Sequence, residues 1–573
     1  MKKLKIVAGI TVPIAMTFLW IFLYNSDLFG SRQSESNNSL PVGKNSSKNT
    51  QDNSKKQKSK ADALQNNLSG KSGALDSDLD DISTPASERF EKAIARDFAK
   101  HKIIPAEKCS DETFCRRVFI DLIGTLPTAE EAQKFLDDKS SDKREKLINE
   151  LLNRKEFAWY WSLKWCDHLR VKSEFPIKLW PNAVACYSTW ITHAIEANMP
   201  YDKFARALLT TSGSNFRKPP VNFYRAIQQK TPVGISNAVT LTFMGTSLKY
   251  FPKETQTKII EFFSRVKYKS TVEWKEEIVI NNPAPINDAT LTLPDNSKVS
   301  AGAFDDRRIL FANWLINKKN PWFAKAAVNR IWFWVFGRGL LNPPNNSTLR
   351  NPPIHSRVLK FLEKEFIRSG YDQKYIIKLI VNCSIYQQSW QPKDTPARAK
   401  HFFAAYPIRR LDAEVLIDAI NQLTGSTEKY YSIVPEPFTF IPESNRTIQL
   451  QDGTITSEFL NMFGRPSRDT GLLTERNNKP SISQQLFMLN STTLATKIQK
   501  SEKIKQLVRN RTRDVDSQIE KIFLTILSRK PNVKELKKIK KYLSQNGRRR
   551  ARRNALIDII WALMNTKEFL YRH

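Results

Sequence analysis

Residues that bind metal ions or haem are scarce in this sequence. The 573 residues include five cysteines and six histidines, and none of these forms a C-x-x-C, H-x-x-x-H or H-E-x-x-H pair. Zinc sites use thiolate and imidazole ligands at such short spacings, and covalent haem attachment uses C-x-x-C-H. The sequence therefore predicts no metal site and no cofactor.

The cysteines are too few and too scattered to predict a disulfide framework. Their odd number leaves at least one of them unpaired. In an oxidising compartment, a bridge between Cys109 and Cys115 or between Cys166 and Cys186 is one alternative. The other alternative is a set of buried thiols.

Acidic residues are also in short supply relative to basic ones. Asp and Glu number 57 against 91 Lys and Arg, which gives a net charge of +34. Such an excess creates a long-range field that favours anionic partners, whether nucleic acid, anionic lipid or acidic polysaccharide. The basic run "GRRRARRN" at residues 547–554 is interpreted as a solvated face or as a contact with anionic glycan or lipid.

The N-terminus contains the longest apolar run. Lys2, Lys3 and Lys5 precede the stretch from Ile6 to Tyr24, which is about long enough to cross a bilayer. The lysines favour a cytoplasmic N-terminus, and no small-x-small cleavage site follows, so an uncleaved anchor is favoured over a signal peptide. We therefore expect a single-pass protein of the cytoplasmic membrane with its body on the periplasmic or extracytoplasmic side, away from nucleic acid.

The chain after the anchor changes in composition. From Ser31 to about Pro85 it is rich in Ser, Asn, Lys and Gln and has almost no aromatic residues, as in "NNSLPVGKNSSKNTQDNSKKQKSK". Such a segment cannot bury enough apolar surface to offset the entropy lost on ordering. The sequence predicts a disordered linker here.

The remaining body is predicted to be mainly α-helical. Thr128 with Glu131 and Ser481 with Gln484 are predicted capping boxes, each ahead of an apolar periodicity. A small β insert is predicted where "EEIVINNPAPINDATLTLPDNSKVSAGAF" alternates apolar and polar residues around turn formers. Further helices are predicted at 113–122, 144–152, 187–197, 201–209, 308–316, 356–368, 373–381, 413–423 and over much of 514–570.

Several motifs of the body follow one another in a fixed order. The first half contains "FCRRVFIDLIGTLPTAEEAQKFLDD", "LINELLNRKEFAWYWSLKWCDHLR" and "WITHAIEANMPYDKFARALL", and the second contains "RRLDAEVLIDAINQLTG", "FGRPSRDTGLLTERNNKPSISQQLFMLN" and "ALIDIIWALMNTKEFL". This order resembles the paired domains of large exported planctomycete-type proteins, the cytochrome-associated PSCyt domain followed by the PSD domain. The resemblance implies no established activity.

Two segments depart from the pattern of the family. Relatives carry a C-x-x-C-H-x-H-like segment after an apolar "FLG" run, whereas here "FMG" is followed by "TSLKYFPKETQ". A "D-D-F-R"-like segment of close relatives is replaced by "NNST", Asn345 to Thr348. The chain therefore resembles the scaffold of the family without its redox chemistry, and the turn around Lys249 is predicted to be a connection.

These observations give a predicted domain plan. It consists of an N-terminal transmembrane segment (1–30), a disordered linker (31–86), a PSCyt-like helical domain (87–268), a small β insert (269–304) and a PSD-like helical domain (305–573).

Three carboxylates are the candidates for catalysis. Glu414 and Asp418 share one face of a predicted helix, and Glu475 lies in the "LLTERNN" segment. Arg465, Arg468 and Arg476 are candidates to bind a sulfate or carboxylate group, or to form a buried ionic network with these carboxylates. Glycoside hydrolysis needs two carboxyl groups about 5–10 Å apart, but same-helix spacing more often means a solvated or arginine-paired face.

The segment "AVNRIWFWVFGRG" supplies further binding candidates. Asn329, Arg330 and Trp332 are interpreted either as a packed structural corner or as an aromatic and arginine surface that binds sugar rings. Asp121 is expected to cap or pair at a helix end, and His355 is expected to start a helix rather than to act as a base.

The sequence as a whole predicts a binding or assembly component of an envelope or polysaccharide-processing system. Anionic polysaccharide or envelope proteins are the expected partners, the membrane is contacted through the N-terminal helix, and nucleic acid is not expected. The alternative is a hydrolase or lyase on acidic polysaccharide that uses Glu414, Asp418 or Glu475.

Overall fold

Helices account for most of the chain that the structure describes. The structure is a computed structural model that describes residues 83–282, 284, 289–348, 350–441, 443–509, 514–546 and 549–573. The predicted anchor and nearly all of the predicted linker lie outside these residues. No helix within them is long and apolar enough to cross a bilayer.

The segment from residue 83 to Phe263 forms the first series of helices. As predicted, Thr128 begins one of them with a reciprocal capping box to Glu131. The helices are α1 (Ala86–Lys100), α2 (Asp111–Ile123), α3 (Ala129–Asp137), α4 (Lys143–Leu152), α5 (Lys155–His168), α6 (Pro181–Glu196), α7 (Tyr201–Thr210), α8 (Asn222–Arg225), α9 (Pro232–Met244) and α10 (Lys253–Phe263).

A second series of helices begins at Arg307. The predicted capping box between Ser481 and Gln484 is confirmed at the start of α18. The helices are α11 (Arg307–Leu315), α12 (Phe323–Phe336), α13 (Ser356–Arg368), α14 (Gln373–Asn382), α15 (Pro396–Phe402), α16 (Ala413–Thr424), α17 (Glu458–Met462), α18 (Ile482–Asn490), α19 (Thr492–Lys500), α20 (Glu502–Arg509), α21 (Val515–Leu527), α22 (Val533–Gln545), α23 (Arg549–Met564) and α24 (Lys567–Leu570).

Three small antiparallel sheets complete the described fold. The first has the strand order β1-β3-β2, and the other two are the pairs β4-β5 and β6-β7. The predicted β insert is therefore present, but its first sheet also takes strands from outside residues 269–304. The strands are β1 (Gly213–Ser214), β2 (Val266–Ser270), β3 (Glu277–Asn281), β4 (Ala289–Thr292), β5 (Lys298–Ala301), β6 (Arg409–Arg410) and β7 (Tyr571–Arg572).

The core of residues 90–573, which form one compact unit, is rich in aromatic rings. Helices α5 and α12 meet there, with ring centroids of Trp165 and Trp334 5.2 Å apart and those of Trp161 and Trp334 5.8 Å apart. Edge-on contacts of this kind add to the free energy gained from burying the rings. One core thus joins a helix of the first series to a helix of the second.

All five cysteines are free thiols. Four of them are buried, and Cys186 is half-buried. Burial raises the pKa of Cys166 to about 12, so this thiol stays protonated and unreactive at neutral pH. The structure therefore agrees with the alternative of buried thiols.

Candidate functional site

A group of buried charged side chains includes Asp121, near the end of α2. Its carboxylate accepts hydrogen bonds from Tyr386 at 3.0 Å and Tyr406 at 2.8 Å. It also pairs with Arg572 at 2.9 Å and Arg409 at 3.2 Å. The expectation that Asp121 pairs at a helix end holds, and its partners come from the other half of the chain.

Asp412, immediately before α16, is the second carboxylate that pairs with Arg572. Arg572 donates to its carboxylate at 2.7 Å, while Tyr160 and Asn478 each donate at 2.6 Å. The Lys164 ammonium lies 3.7 Å away. Arg572 thus bridges two buried carboxylates.

A second branch of ion pairs begins two residues further on, at Glu414. Arg476 donates to both of its oxygens, at 2.6 and 3.1 Å, and Arg465 lies 3.6 Å away. The other side of Arg476 pairs with Asp167 at 2.6 Å, and Asp167 also pairs with Arg468 at 2.8 Å. Arg476 therefore bridges the first turn of α16 to the end of α5.

We call these two branches together the central ion network. It joins residues that lie up to about 450 positions apart, and burial makes each charge dependent on its partners. Its members are Asp121, Lys164, Asp167, Arg409, Asp412, Glu414, Arg465, Arg468, Arg476 and Arg572.

Charge pairing decides the protonation of Asp412 and Asp167. Burial alone would raise the pKa of Asp412, but the charges of Arg572, Lys164 and Arg476 outweigh it and hold that pKa well below the usual range. The pKa of Asp167 is lowered in the same way, because Arg476 and Arg468 outweigh burial. Both groups stay ionised at neutral pH, so they cannot donate a proton as a general acid.

Lys164 is the one lysine of the central ion network, and its pKa is lowered. Burial lowers the pKa of its ammonium to about 7, although Asp412 opposes the shift. Its ammonium also lies 4.1 Å from the ring centroid of Tyr160. The lysine is 6% exposed, so a substrate has no access to it.

The other two catalytic candidates lie outside the central ion network. Asp418 accepts hydrogen bonds from the backbone N–H groups of Thr447 at 2.7 Å and Ile448 at 3.0 Å, and burial raises its pKa. Glu475 accepts from the side chains of Ser467 at 2.5 Å and Thr470 at 2.9 Å. Each of the two carboxylates thus holds a loop in place, and the structure gives them no shared partner.

The predicted binding residues of α12 are buried as well. Asn329 accepts from the Leu341 N–H at 2.9 Å and fixes the turn after the helix. Arg330 donates to Tyr201 at 3.2 Å and lies over the ring of Trp165, 5.2 Å from its centroid. Trp332 is 0% exposed. Burial of all three residues is what the packed-corner alternative expects.

The two segments that were predicted to depart from the family pattern contact each other. Thr246 forms a β-bridge with Asn346, and the Ser347 N–H donates to the Gly245 carbonyl at 3.1 Å. The turn itself is a 3₁₀ helix, Leu248–Tyr250, anchored where Ser247 donates to Asn237 at 2.7 Å. The turn connects α9 to α10, as predicted.

His355 occupies the predicted helix-start position, immediately before α13. Its Nε2–H donates to the Phe402 carbonyl at 2.7 Å, and burial lowers its pKa. Among the described residues, no group of three or more His, Cys, Asp or Glu side chains is arranged to hold a metal ion.

The sequence indicated Asp121, Glu414 and three of the network arginines as candidates, but it did not indicate Asp167, Asp412 or Arg572. Asp167 lies near the end of the motif "LINELLNRKEFAWYWSLKWCDHLR", and Asp412 immediately precedes the predicted helix 413–423, so position in or beside a motif is a signal for them. Arg572 belongs to no motif of that kind. The assignments of catalytic and binding roles stay predictions.

The fold and the central ion network together define a mainly helical protein in which both halves of the chain close around one buried set of charges. The family comparison matches one segment in the first half of the chain and one in the second half. Residues 89–250 match PSCyt2, a protein of unknown function (DUF1549), and residues 307–543 match PSD1, a protein of unknown function (DUF1553). The chain therefore belongs to the proteins that carry a PSCyt domain followed by a PSD domain.

Both family matches contain residues of the central ion network. Asp121 and Asp167 lie in the PSCyt2 match, and Asp412, Glu414 and Arg476 lie in the PSD1 match. No match to the chain was found among curated proteins or among solved structures.

Proposed function

We propose that this protein is a membrane-tethered binding or assembly component of an envelope or polysaccharide-processing system. The observation that carries the proposal is the burial of two of the three candidate carboxylates. Glu414 is 0% exposed and held by Arg476, while Asp418 is 3% exposed and held by backbone N–H groups. A carboxyl group in this position cannot reach a glycosidic bond.

The alternative of a hydrolase or lyase has one observation in its favour. The raised pKa of Asp418, caused by burial, is a property that a general acid needs. Both oxygens of Asp418, however, accept backbone N–H groups at the start of the 3₁₀ helix Thr447–Gln449. The carboxylate is therefore better explained as a structural anchor.

Charge gives the expected class of ligand. The carboxylates and arginines of the central ion network nearly balance, so almost all of the net +34 lies outside it. A basic exported body attracts polyanions over a range set by the ionic strength. An acidic polysaccharide is therefore the ligand class that we propose.

The membrane tether is the second part of the proposal. It is supported by the apolar run from Ile6 to Tyr24, the lysines before it and the polar linker after it. Protease treatment of spheroplasts, in which any outer membrane has been opened and the cytoplasmic membrane is intact, is the test. Digestion of the body from the outside, with the N-terminus protected, supports the proposal, and full protection of the body contradicts it.

Binding without cleavage is tested on the full chain in mild detergent, with polygalacturonate as the acidic polysaccharide. Titration measures binding, and size-exclusion chromatography with an assay of reducing ends measures cleavage. We expect binding and unchanged polymer length. Shortening of the polymer that disappears in a folded Asp418→Asn variant would establish the enzyme instead.

A further inference from the structure

Three chain segments outside the central ion network bring aromatic rings together at the surface. Trp180 precedes α6, Trp274 lies in the turn between β2 and β3, and Phe438 lies in the loop after α16. The centroids of Trp180 and Trp274 are 4.6 Å apart, and Phe438 lies 5.9 and 5.5 Å from them. Trp274 is 59% exposed and Phe438 is 47% exposed, so the ring cluster faces solvent.

Lysine ammonium groups accompany these rings. The Lys275 ammonium lies 5.2 Å from the ring centroid of Trp180 and 5.4 Å from that of Trp274. Beside the cluster in sequence, Lys178 lies 5.4 Å from the ring of Phe175, which is 66% exposed. We call the set Phe175, Lys178, Trp180, Trp274, Lys275 and Phe438 the aromatic–lysine surface.

The backbone holds Trp180 in an unusual conformation. Its φ of 75° and ψ of 147° belong to a region that residues with a Cβ atom rarely adopt. Its N–H donates to the Ser173 carbonyl at 3.1 Å, and its own carbonyl accepts from Val184 at 3.0 Å. Ser173 is in turn fixed by Asp452 at 2.5 Å. The surrounding structure therefore imposes the position of this ring.

The turn that carries Trp274 is fixed in a similar way. Thr271 donates to the Glu276 carboxylate at 2.8 Å, and Ser214 donates to it at 2.5 Å. The Lys275 carbonyl accepts from the Asn215 amide at 3.2 Å. Little conformational entropy is lost when a ligand binds to rings that are already held in place.

We infer that the aromatic–lysine surface is a saccharide-stacking site for a polysaccharide chain. The inference rests on the proposed function, and it names the place where the sugar rings bind. The C–H faces of a pyranose ring pack against exposed aromatic faces, whereas its hydroxyl groups need both donors and acceptors nearby. The lysines supply donors, and each of the three segments also carries a carboxylate, Glu174, Glu273 and Glu436.

The composition of the surface favours a glycan over the two other kinds of partner. A protein interface is depleted of charge at its centre, and lysine is depleted there in particular, yet Lys275 lies over two rings of the cluster. A polyanion without sugar rings has no flat apolar face to stack on the exposed rings of Trp274 and Phe438. A sugar chain with a carboxylate near Lys275 can stack on the aromatic rings and pair with the lysine.

The test is titration of the full chain in mild detergent with polygalacturonate, and with polyphosphate as a polyanion that has no sugar rings. At moderate salt we expect Trp274→Ala to weaken binding of polygalacturonate about tenfold, which corresponds to about 1.4 kcal/mol. Trp274→Phe should restore most of the affinity, because it keeps a stacking ring. Binding of polyphosphate at low salt should not change in either variant.

Tyr250→Ala is the matched control. Tyr250 is 51% exposed and carries the Lys249 ammonium 5.2 Å from its ring, but it lies in the connecting turn. We expect the Tyr250→Ala variant to bind polygalacturonate with the same affinity as the unchanged chain. Melting temperatures of all variants verify that each one is folded.

The outcomes separate this inference from the proposed function. If the unchanged chain binds polygalacturonate and Trp274→Ala binds it equally well, the stacking site is wrong and the proposed function stands. If the unchanged chain binds no polysaccharide at any salt concentration, both are wrong. A Trp274→Ala variant that also loses polyphosphate would overturn the site as well, since the change would then be one of charge or folding.

Discussion

At the scale of single residues, Arg572 joins two carboxylates that come from different halves of the chain. It donates to Asp121 at 2.9 Å and to Asp412 at 2.7 Å, and its side chain is 1% exposed. Removing one partner from a buried ion pair leaves an uncompensated charge in a poorly solvated place. The stability of the body should therefore depend on this residue.

We expect Arg572→Leu to lower the free energy of unfolding by about 3–5 kcal/mol, the range for breaking a buried pair. Lys540→Leu is the control, because Lys540 pairs with Asp516 on the surface with both side chains 46% exposed. That change should cost about 1 kcal/mol or less. Urea denaturation measures both, and equal losses would contradict the structural role of the network.

His168 gives a prediction about pH. Its Nδ1–H donates to the Gly471 carbonyl at 2.7 Å, and burial, with the charge of Arg330, holds its pKa well below the usual range. An unfolded histidine binds a proton below about pH 6.5, whereas the folded one stays neutral. The unfolded state therefore binds more protons in this range, and the free energy of unfolding falls as the pH drops below about 6.5.

Replacement of this histidine should make stability less sensitive to acid. His168→Gln should reduce the slope of unfolding free energy against pH by up to about 1.4 kcal/mol per pH unit below pH 6.5. The control variant is His193→Gln, since His193 is exposed to solvent. Urea unfolding at a series of pH values measures the slope, and identical slopes in the two variants would rule out this account of His168.

At the scale of elements, Gly464 shows how the loops that carry the network arginines pack. Its φ is +79°, and a Cβ added there would lie 2.0 Å from the Asn477 carbonyl oxygen. The N–H of Asn477 also donates to the Gly464 carbonyl at 3.1 Å. Arg465 and Arg476 flank this contact in sequence, so the glycine sets the distance between the two loops.

Gly464→Ala should therefore destabilise the body more than an ordinary glycine replacement. Gly370 is the matched control, since its φ is +70° but a Cβ there would have nothing within 4 Å. Gly370→Ala should cost about 1–2 kcal/mol, the penalty for the left-handed conformation alone. Thermal melts compare the two, and a melting temperature of Gly464→Ala at or above that of Gly370→Ala would argue against the close approach.

The elements also show what the sequence can predict about the fold. Helices with a polar face and a capping box, such as α3 and α18, were predictable because their periodicity and their first turn carry the signal. Helix α12 is buried on nearly all sides, from Phe323 to Phe336, and so has no apolar stripe to detect. The pair β6-β7 joins Arg409 to Arg572, 163 positions further along the chain, and no local pattern indicates such a partner.

At the scale of the whole molecule, the candidate residues could be predicted from the sequence, but most of the distant residues that contact them could not. Glu414 and Asp418 share a helix, yet one pairs with Arg476 and the other with backbone N–H groups. Spacing along a helix places two side chains on one face, whereas burial and partners depend on which distant segments pack against that face. The exposed rings of Trp274 and Phe438 gave no motif either, because they come together only in the folded chain.

The body should fold without the first 85 residues. Residues 31–85 are rich in polar residues and carry almost no aromatic side chains, and α1 begins at Ala86. A chain of residues 86–573 should melt cooperatively, within a few degrees of the full chain. Calorimetry compares the two chains, and loss of the cooperative transition on truncation would show that the removed part is needed.

The most direct test of the whole account is the salt dependence of glycan binding by the full chain. Affinities for polygalacturonate, dextran sulfate and neutral dextran are measured by titration at low and at moderate salt. Exposed charges are screened over about 10 Å at 0.1 M salt, so binding of both acidic polymers should weaken as salt rises, while the stacked contacts retain part of it. We expect the acidic polymers to bind more tightly than neutral dextran and to remain uncleaved. No binding at low salt, or equal binding of the neutral polymer, would contradict it.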